Sequence, residues 1–148
     1  MQRSETQILN LLYLYAELID EGRLEDCAAL FNQARVVLDP KSEPPFIVDG
    51  RGLLEVWNSI IKLDEDGKPK TRHLVSNPIL EIDEKAGTAS ARSVYSVSQL
   101  KKNQKLETII SGRYEDNFKR TSGTWQFSER TYFIDLIDDI SEHFNLST

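Results

Sequence analysis

The chain has 148 residues and a mass of 17.0 kDa, enough for one domain with a sizeable core. Its formal net charge of −6 and pI near 5.0 argue against binding a nucleic-acid backbone, which needs a basic face. No apolar run approaches the roughly 20 residues that cross a bilayer, and the single cysteine, Cys27, excludes an internal disulfide and a cysteine-built zinc site.

The opening residues, MQRSETQILN, lack the apolar stretch of a secretory leader, so a cytoplasmic setting is expected. From Ile8, apolar residues recur at Leu11, Leu12, Tyr15, Leu18 and Ile19, the spacing of a helix with one buried face. Ser4 with Gln7 three residues later resembles a capping box at its start, and Gly22 stops it. RLEDCAALF reads as a second short helix with Leu24, Ala28 and Phe31 on one side and Cys27 buried as a small hydrophobe. RVVLD is a short strand, PKSEPPFIVDG a proline-broken loop around a brief extended piece, and GLLEVWNSIIKL a third helix.

After the polar loop DEDGKPK the texture changes. RHLVSNPILEI, TASARSVYSVSQL, KLETIISGRYEDNFK and WQFSERTYFIDL are β-rich runs separated by the turn formers DEKAGT, KKNQK and RTSGT. They predict a four-stranded antiparallel meander. Helices segregated ahead of such a sheet give an α+β fold with the helices on one sheet face. No internal repeat or domain boundary interrupts residues 1–148. On the second long strand one face carries Ala89, Ala91, Ser93, Tyr95 and Val97, small residues that leave room above the sheet. Pro78 and Gly112 interrupt their ladders, as at bulges or bends. A bent sheet under helices would form a cone-shaped barrel around a pocket for a small ligand.

Two histidines, His73 and His143, are all that the chain has. His73 opens the first long strand in KTRHLVSNPILEID, where an imidazole could serve as a neutral-pH base or merely end a strand. Asp20 ends the first helix and could equally belong to its turn. Tyr15 sits mid-stripe and could be only core. Strict alternation puts Arg130 opposite Trp125 and Phe127, so it reaches a pocket only if that face points inward or a bulge intervenes. The two histidines, far apart in the chain, offer no compact metal-ligand set.

The order of these elements resembles the NTF2-like superfamily, in its SnoaL-like and scytalone-dehydratase-like branch, from Ile8 to about Leu136. The markers are Tyr15, Asp20 and Gly22; Thr71, Arg72 and His73; SGRYEDNFKR from Ser111 to Arg120; and Trp125, Phe127 and Arg130. The resemblance implies a cystatin-like cone barrel with Asp20 and His73 as a catalytic dyad. Tyr15 matches a tyrosine of the bile-acid dehydratase pattern and Arg130 an arginine of the dehydrochlorinase pattern. An acidic residue of the bile-acid enzymes is missing, since the corresponding stretch reads YSVSQ.

The implied activity is cofactor-free dehydration or another β-elimination on an apolar, cyclic metabolite, without metal. His73 would be the base, Asp20 its orienter, and Tyr15 and Arg130 assistants. A polyketide-type cyclase or isomerase is the alternative enzyme, and a non-catalytic ligand-binding or assembly module, such as an oxygenase companion subunit, the alternative from another class. Both faces of the last strand hold large apolar groups, which predicts a homodimer or homotrimer built on the outer sheet face. A C-terminal DDISEHFNLST folded back over that face would instead leave a monomer.

Overall fold

A computed structural model describes residues 2–145. Helix α1 (Ser4–Asp20) buries Ile8, Leu12, Tyr15, Leu18 and Ile19 along one side, as their spacing requires. Its start differs from expectation, because no side chain caps it. Ser4 Oγ instead accepts the Trp125 indole N–H at 2.9 Å, and Gln7 Oε1 accepts the Trp125 backbone N–H at 3.3 Å. The apparent capping pair thus ties the helix to the last strand.

The other end of α1 is sharply defined. Gly22 adopts φ +74°, its N–H bonds the Ile19 carbonyl, and the Arg23 N–H bonds the Leu18 carbonyl. This is a Schellman closure, for which an αL glycine is the usual residue. A Cβ on Gly22 would lie 1.9 Å from the Gly67 carbonyl oxygen, so packing also demands glycine. The closure fixes the direction of Asp20, the last helical residue. Helices α2 (Leu24–Ala29) and α3 (Gly50–Ile60) follow, the latter started by Asp49, whose carboxylate accepts the Gly52 N–H at 2.8 Å.

The strands are β1 (Arg35–Asp39), β2 (Phe46–Val48), β3 (Thr71–Asp83), β4 (Thr88–Leu100), β5 (Leu106–Thr121) and β6 (Thr124–Ile137). The expected meander is present as β3 to β6, but the sheet has six strands in the order β2-β1-β6-β5-β4-β3. β1 joins β6 in parallel and β2 pairs antiparallel to β1. The fold is therefore α+β, with helices over one face of a bent, open sheet whose edge at β3 is unpaired.

Irregularities in the ladders decide which side chains point inward. Register shifts fall between Ser76 and Ile79, around Pro78, and at Gly112, where a Cβ would meet the Phe133 carbonyl at 2.0 Å. A third lies in β6. Asn117 pairs with Glu129 and Phe118 with Phe127, leaving Ser128 unpaired. This bulge puts Arg130 on the same inner side as Trp125 and Phe127, and all three are buried.

The small residues of β4 do face the helices, but the room that they leave is filled by rings. Tyr95 stacks on Tyr114 at 4.1 Å, and Tyr15 meets Tyr114 edge-on at 5.7 Å. Residues 138–145 do not cover the outer sheet face. They cross the mouth of the cone, where the Lys62 N–H bonds the His143 carbonyl at 2.8 Å and the Asn145 N–H bonds the Ile60 carbonyl at 2.6 Å. On the outer face the paired row Leu74, Ser96, Ser111, Leu136 leaves Leu74 58% and Leu136 69% exposed.

Candidate active site

The end of α1 lies against the start of β3, and there Asp20 meets three donors. Because β3 is the edge strand, the outward N–H of His73 has no neighbouring strand, and Asp20 Oδ2 accepts it at 2.7 Å. Asp20 Oδ1 accepts the Thr71 hydroxyl at 2.9 Å and lies 2.6 Å from His73 Nδ1. The exposed Arg72 guanidinium adds positive charge 4.0 Å from Oδ2. The carboxylate thus bonds to β3 and not to the turn that follows the helix, securing an edge strand and orienting an imidazole at once.

A carboxylate can only accept, so Nδ1 of His73 carries the hydrogen and Nε2 keeps its lone pair in the neutral ring. Among the described residues, no hydrogen bond engages Nε2. The ring is nearly buried, with its side chain 6% exposed, and packs edge-on against Tyr15 at 6.4 Å between centroids. A base held by a carboxylate in a largely buried setting, with the lone pair of its second nitrogen available, is the arrangement that proton abstraction needs.

Tyr15 is 2% exposed, and its hydroxyl lies 2.9 Å from that of Tyr132. Burial, then the neighbouring phenols Tyr114 and Tyr132, push its pKa well above the ordinary range, so it is a hydrogen-bonding group and not an anion. Cys27 donates its thiol to the Tyr15 carbonyl at 3.4 Å, and burial pushes that thiol up to about 12. It is inert core, as expected.

Arg130 reaches the interior but is not brought to the dyad. Its Nε and Nη2 are engaged by the two oxygens of Asp116 at 2.7 and 3.1 Å, and neither side chain is exposed. The guanidinium lies over Tyr114 at 3.8 Å and Tyr15 at 4.4 Å. Burial opposes the charge, but Asp116 and the surrounding phenols more than offset it and hold the pKa above the ordinary arginine range. With its charge matched by Asp116, the arginine lies against Tyr15, so any help it gives the dyad as an assistant passes through that ring.

The space between helices and sheet where a pocket was expected is packed with side chains, the rings of Tyr15, Tyr95 and Tyr114 among them. Beside the dyad runs a groove of about 1100 Å³ along the α1–β3 flank, lined by Asp20, Thr71, Arg72 and His73 with Leu14 and Leu74. On the other side of His73 lies His143, its ring 6.4 Å away and 2% exposed. The two histidines, 70 residues apart in sequence, therefore meet at the mouth. Among the described residues no group of three or more metal-ligating side chains assembles. Thr71 and His143, which adjoin the dyad, were not singled out as site residues by the sequence. Thr71 was within reach as the first member of Thr-Arg-His, whereas nothing in the spacing marks His143.

Comparison with known proteins agrees with this architecture. No match is found among curated proteins. A Mycobacterium tuberculosis protein of unknown function superposes with TM-score 0.71 at 21% identity, covering 90% of this chain and 72% of that one. The β subunit of a protein described as an aromatic-ring-hydroxylating dioxygenase candidate, from Novosphingobium aromaticivorans, gives TM-score 0.71 at 20% identity and 91% coverage of both chains. A candidate scytalone dehydratase from the same bacterium gives TM-score 0.67 at 23% identity, covering 91% and 86%. Other structures of this shape are described as NTF2-like or as having a cystatin-like fold. These likenesses establish the fold. No helix among the described residues is long and apolar enough to cross a membrane. The model of the SnoaL-like domain matches residues 2–131, the helices, the dyad and most of the sheet together, and the chain belongs to that family.

Proposed function

We propose that the protein is a cofactor-free lyase that removes water, or another leaving group β to a carbonyl, from a small and largely apolar metabolite. The observation that carries this reading is the Asp20–His73 contact of 2.6 Å through Nδ1, with Nε2 bonded to none of the described residues. His73 Nε2 takes the proton α to the carbonyl, and Asp20 stabilises the imidazolium that results. The C–H electrons form the double bond as the β C–O bond breaks. The imidazolium then returns its proton to the departing oxygen, so the products are an enone and water. Tyr15 backs the His73 ring, and Arg130 with Asp116 stiffens Tyr15. The likeness to a candidate scytalone dehydratase agrees with this chemistry, and the same base would serve an isomerase or cyclase.

The likeness to a dioxygenase β subunit favours a second reading, a companion subunit without chemistry of its own. Proton exchange separates the two. In D₂O, a β-hydroxy ketone such as 3-hydroxycyclohexanone should lose its α-protons to solvent and form cyclohexenone, seen by NMR and ultraviolet absorbance. His73→Asn should slow both by roughly 10²–10⁴-fold, the usual contribution of a general base. Exchange unaffected by His73→Asn would end the lyase reading and leave the companion subunit.

A further inference from the structure

Among the described residues, four buried side-chain polar atoms have no hydrogen-bond partner: Ser93 Oγ, Gln99 Oε1, Arg130 Nη1 and His143 Nδ1. Such atoms are uncommon in folded proteins, because each has given up water without a replacement. Arg130 Nη1 is explained by its stack of rings. Gln99 Oε1 and His143 Nδ1 are different, because their residues adjoin at the mouth of the cone. Gln99 lies on β4, two residues from Val97, the register partner of His73. Its amide nitrogen donates to the Glu142 carbonyl at 3.2 Å and approaches the Pro69 carbonyl at 3.5 Å. Both of those partners accept, so the amide orientation is fixed and the unpaired atom is the oxygen, an acceptor. Glu142 immediately precedes His143.

The segment that carries His143 is tied down along its length. Lys101 Nζ donates to the Asp139 carbonyl at 2.7 Å, Lys62 Nζ to the Ser141 carbonyl at 2.7 Å, and the Lys102 N–H to the Glu142 carboxylate at 2.8 Å. With the backbone bonds to Ile60 and Lys62, these hold an imidazole over the dyad at 6.4 Å from the His73 ring. A loose tail would not keep a histidine at 2% exposure.

We infer that Gln99 and His143 form a hydroxyl-binding subsite that completes the dyad, with the His143 imidazole N–H donating to the ligand's hydroxyl oxygen and Gln99 Oε1 accepting its hydrogen. A hydroxyl group carries one donor and acceptor lone pairs, which matches this pair of unpaired atoms. The inference rests on the lyase reading, in which that hydroxyl is the leaving group beside the base. A free water molecule has the same chemistry and is the other occupant that the test must separate. Residues 138–145 are then part of the site.

The test follows the two imidazoles by long-range ¹H–¹⁵N NMR while 3-hydroxycyclohexanone or cyclohexanone is added to the full chain. The hydroxy ketone should move both ring signals together and bind at least about tenfold more tightly than the ketone, because a site built to bond a hydroxyl rejects an analogue without one. In His143→Phe this preference should vanish, and His143→Asn, which keeps an N–H near the Nδ1 position, should restore part of it. Should His143→Phe fail to fold, Gln99→Met reads the same preference. A response of His73 alone overturns the subsite and leaves the base standing. No response from either ring overturns both. Equal binding of the two ketones means that water alone occupies the place, which also overturns the proposal.

Discussion

Two carboxylates in this molecule each hold a basic side chain at almost the same distance, Asp20 to His73 at 2.6 Å and Asp116 to Arg130 at 2.7 Å. In the core, Asp116 meets the fork of Arg130 with both oxygens, rings close around the pair, and no face remains for a ligand. At the mouth, Asp20 uses its oxygens on one strand's donors, and Nε2 of His73 bonds to none of the described residues. A short, buried acid–base contact is therefore no mark of chemistry by itself. What distinguishes the mouth is a nitrogen lone pair that can take a proton, since the unbonded Nη1 of Arg130 can only donate.

The sharpest way to break this comparison is to remove one partner in the core. Asp116→Ala leaves the Arg130 charge buried and unpaired, and should cost about 3–5 kcal/mol in chemical denaturation. Replacing both, as Asp116→Leu with Arg130→Met, should recover most of that loss, since apolar groups of similar volume often match a buried ion pair. A double variant as unstable as the single one would mean that the pair does more than fill the core.

Acid should act at the mouth next. Burial, then the neighbouring His73, lowers the His143 pKa from 6.5 to about 4, with Asp20 opposing. As pH falls below 6.5 the unfolded chain binds a proton that the folded chain refuses until about pH 4. Stability should drop through that window by at most about 3 kcal/mol, the 2.5-unit difference at 1.36 kcal/mol per unit. Comparing wild type with His143→Phe at pH 7.5 and pH 4 isolates this group from the carboxylates that titrate nearby, and equal losses in both would refute it.

Asp20→Asn is the smaller perturbation of fold. One oxygen remains to accept, so we expect a loss of about 1–3 kcal/mol from imperfectly satisfied donors. Proton exchange at the substrate should fall with it, because the imidazolium loses its counter-charge. A variant that keeps full exchange would move His73 to the same category as Arg130. The least costly change is Leu136→Glu on the outer sheet face, expected within about 0.5 kcal/mol for an exposed site. We propose that this face joins copies of the chain as a dimer or trimer. Light scattering of wild type should then exceed 17.0 kDa and fall to it in Leu136→Glu. A wild type already at 17.0 kDa excludes the assembly.

Hydrophobic spacing made the three helices and four long strands legible, because each buries a face set by its own period. It could not show β1 and β2 in the sheet, since five and three residues carry no sign of their partners. Arg130 was ambiguous for a physical reason. The Ser128 bulge depends on the pairing of β5 with β6, and one unpaired residue reverses the alternation after it. The dyad was readable only through family resemblance, as a helix-end aspartate and a strand-start histidine are individually ordinary. His143 was unreadable, because its segment is held largely through backbone groups and lysine ammoniums that leave no periodic trace.

The parallel pairing of β1 with β6 has a consequence for how the chain is made. Arg35 to Val37 align with Glu129 to Thr131, so the N-terminal strand waits for the last strand before it gains its partner. The Trp125 bonds to Ser4 and Gln7 span a similar separation. During synthesis the β3–β4 and β4–β5 hairpins can form first from local contacts, whereas the N-terminal third remains without its sheet until β6 leaves the ribosome. Truncation within β6 should therefore release both ends of the chain together, and limited proteolysis of such a fragment should cut near residues 35–48 while sparing the central hairpins.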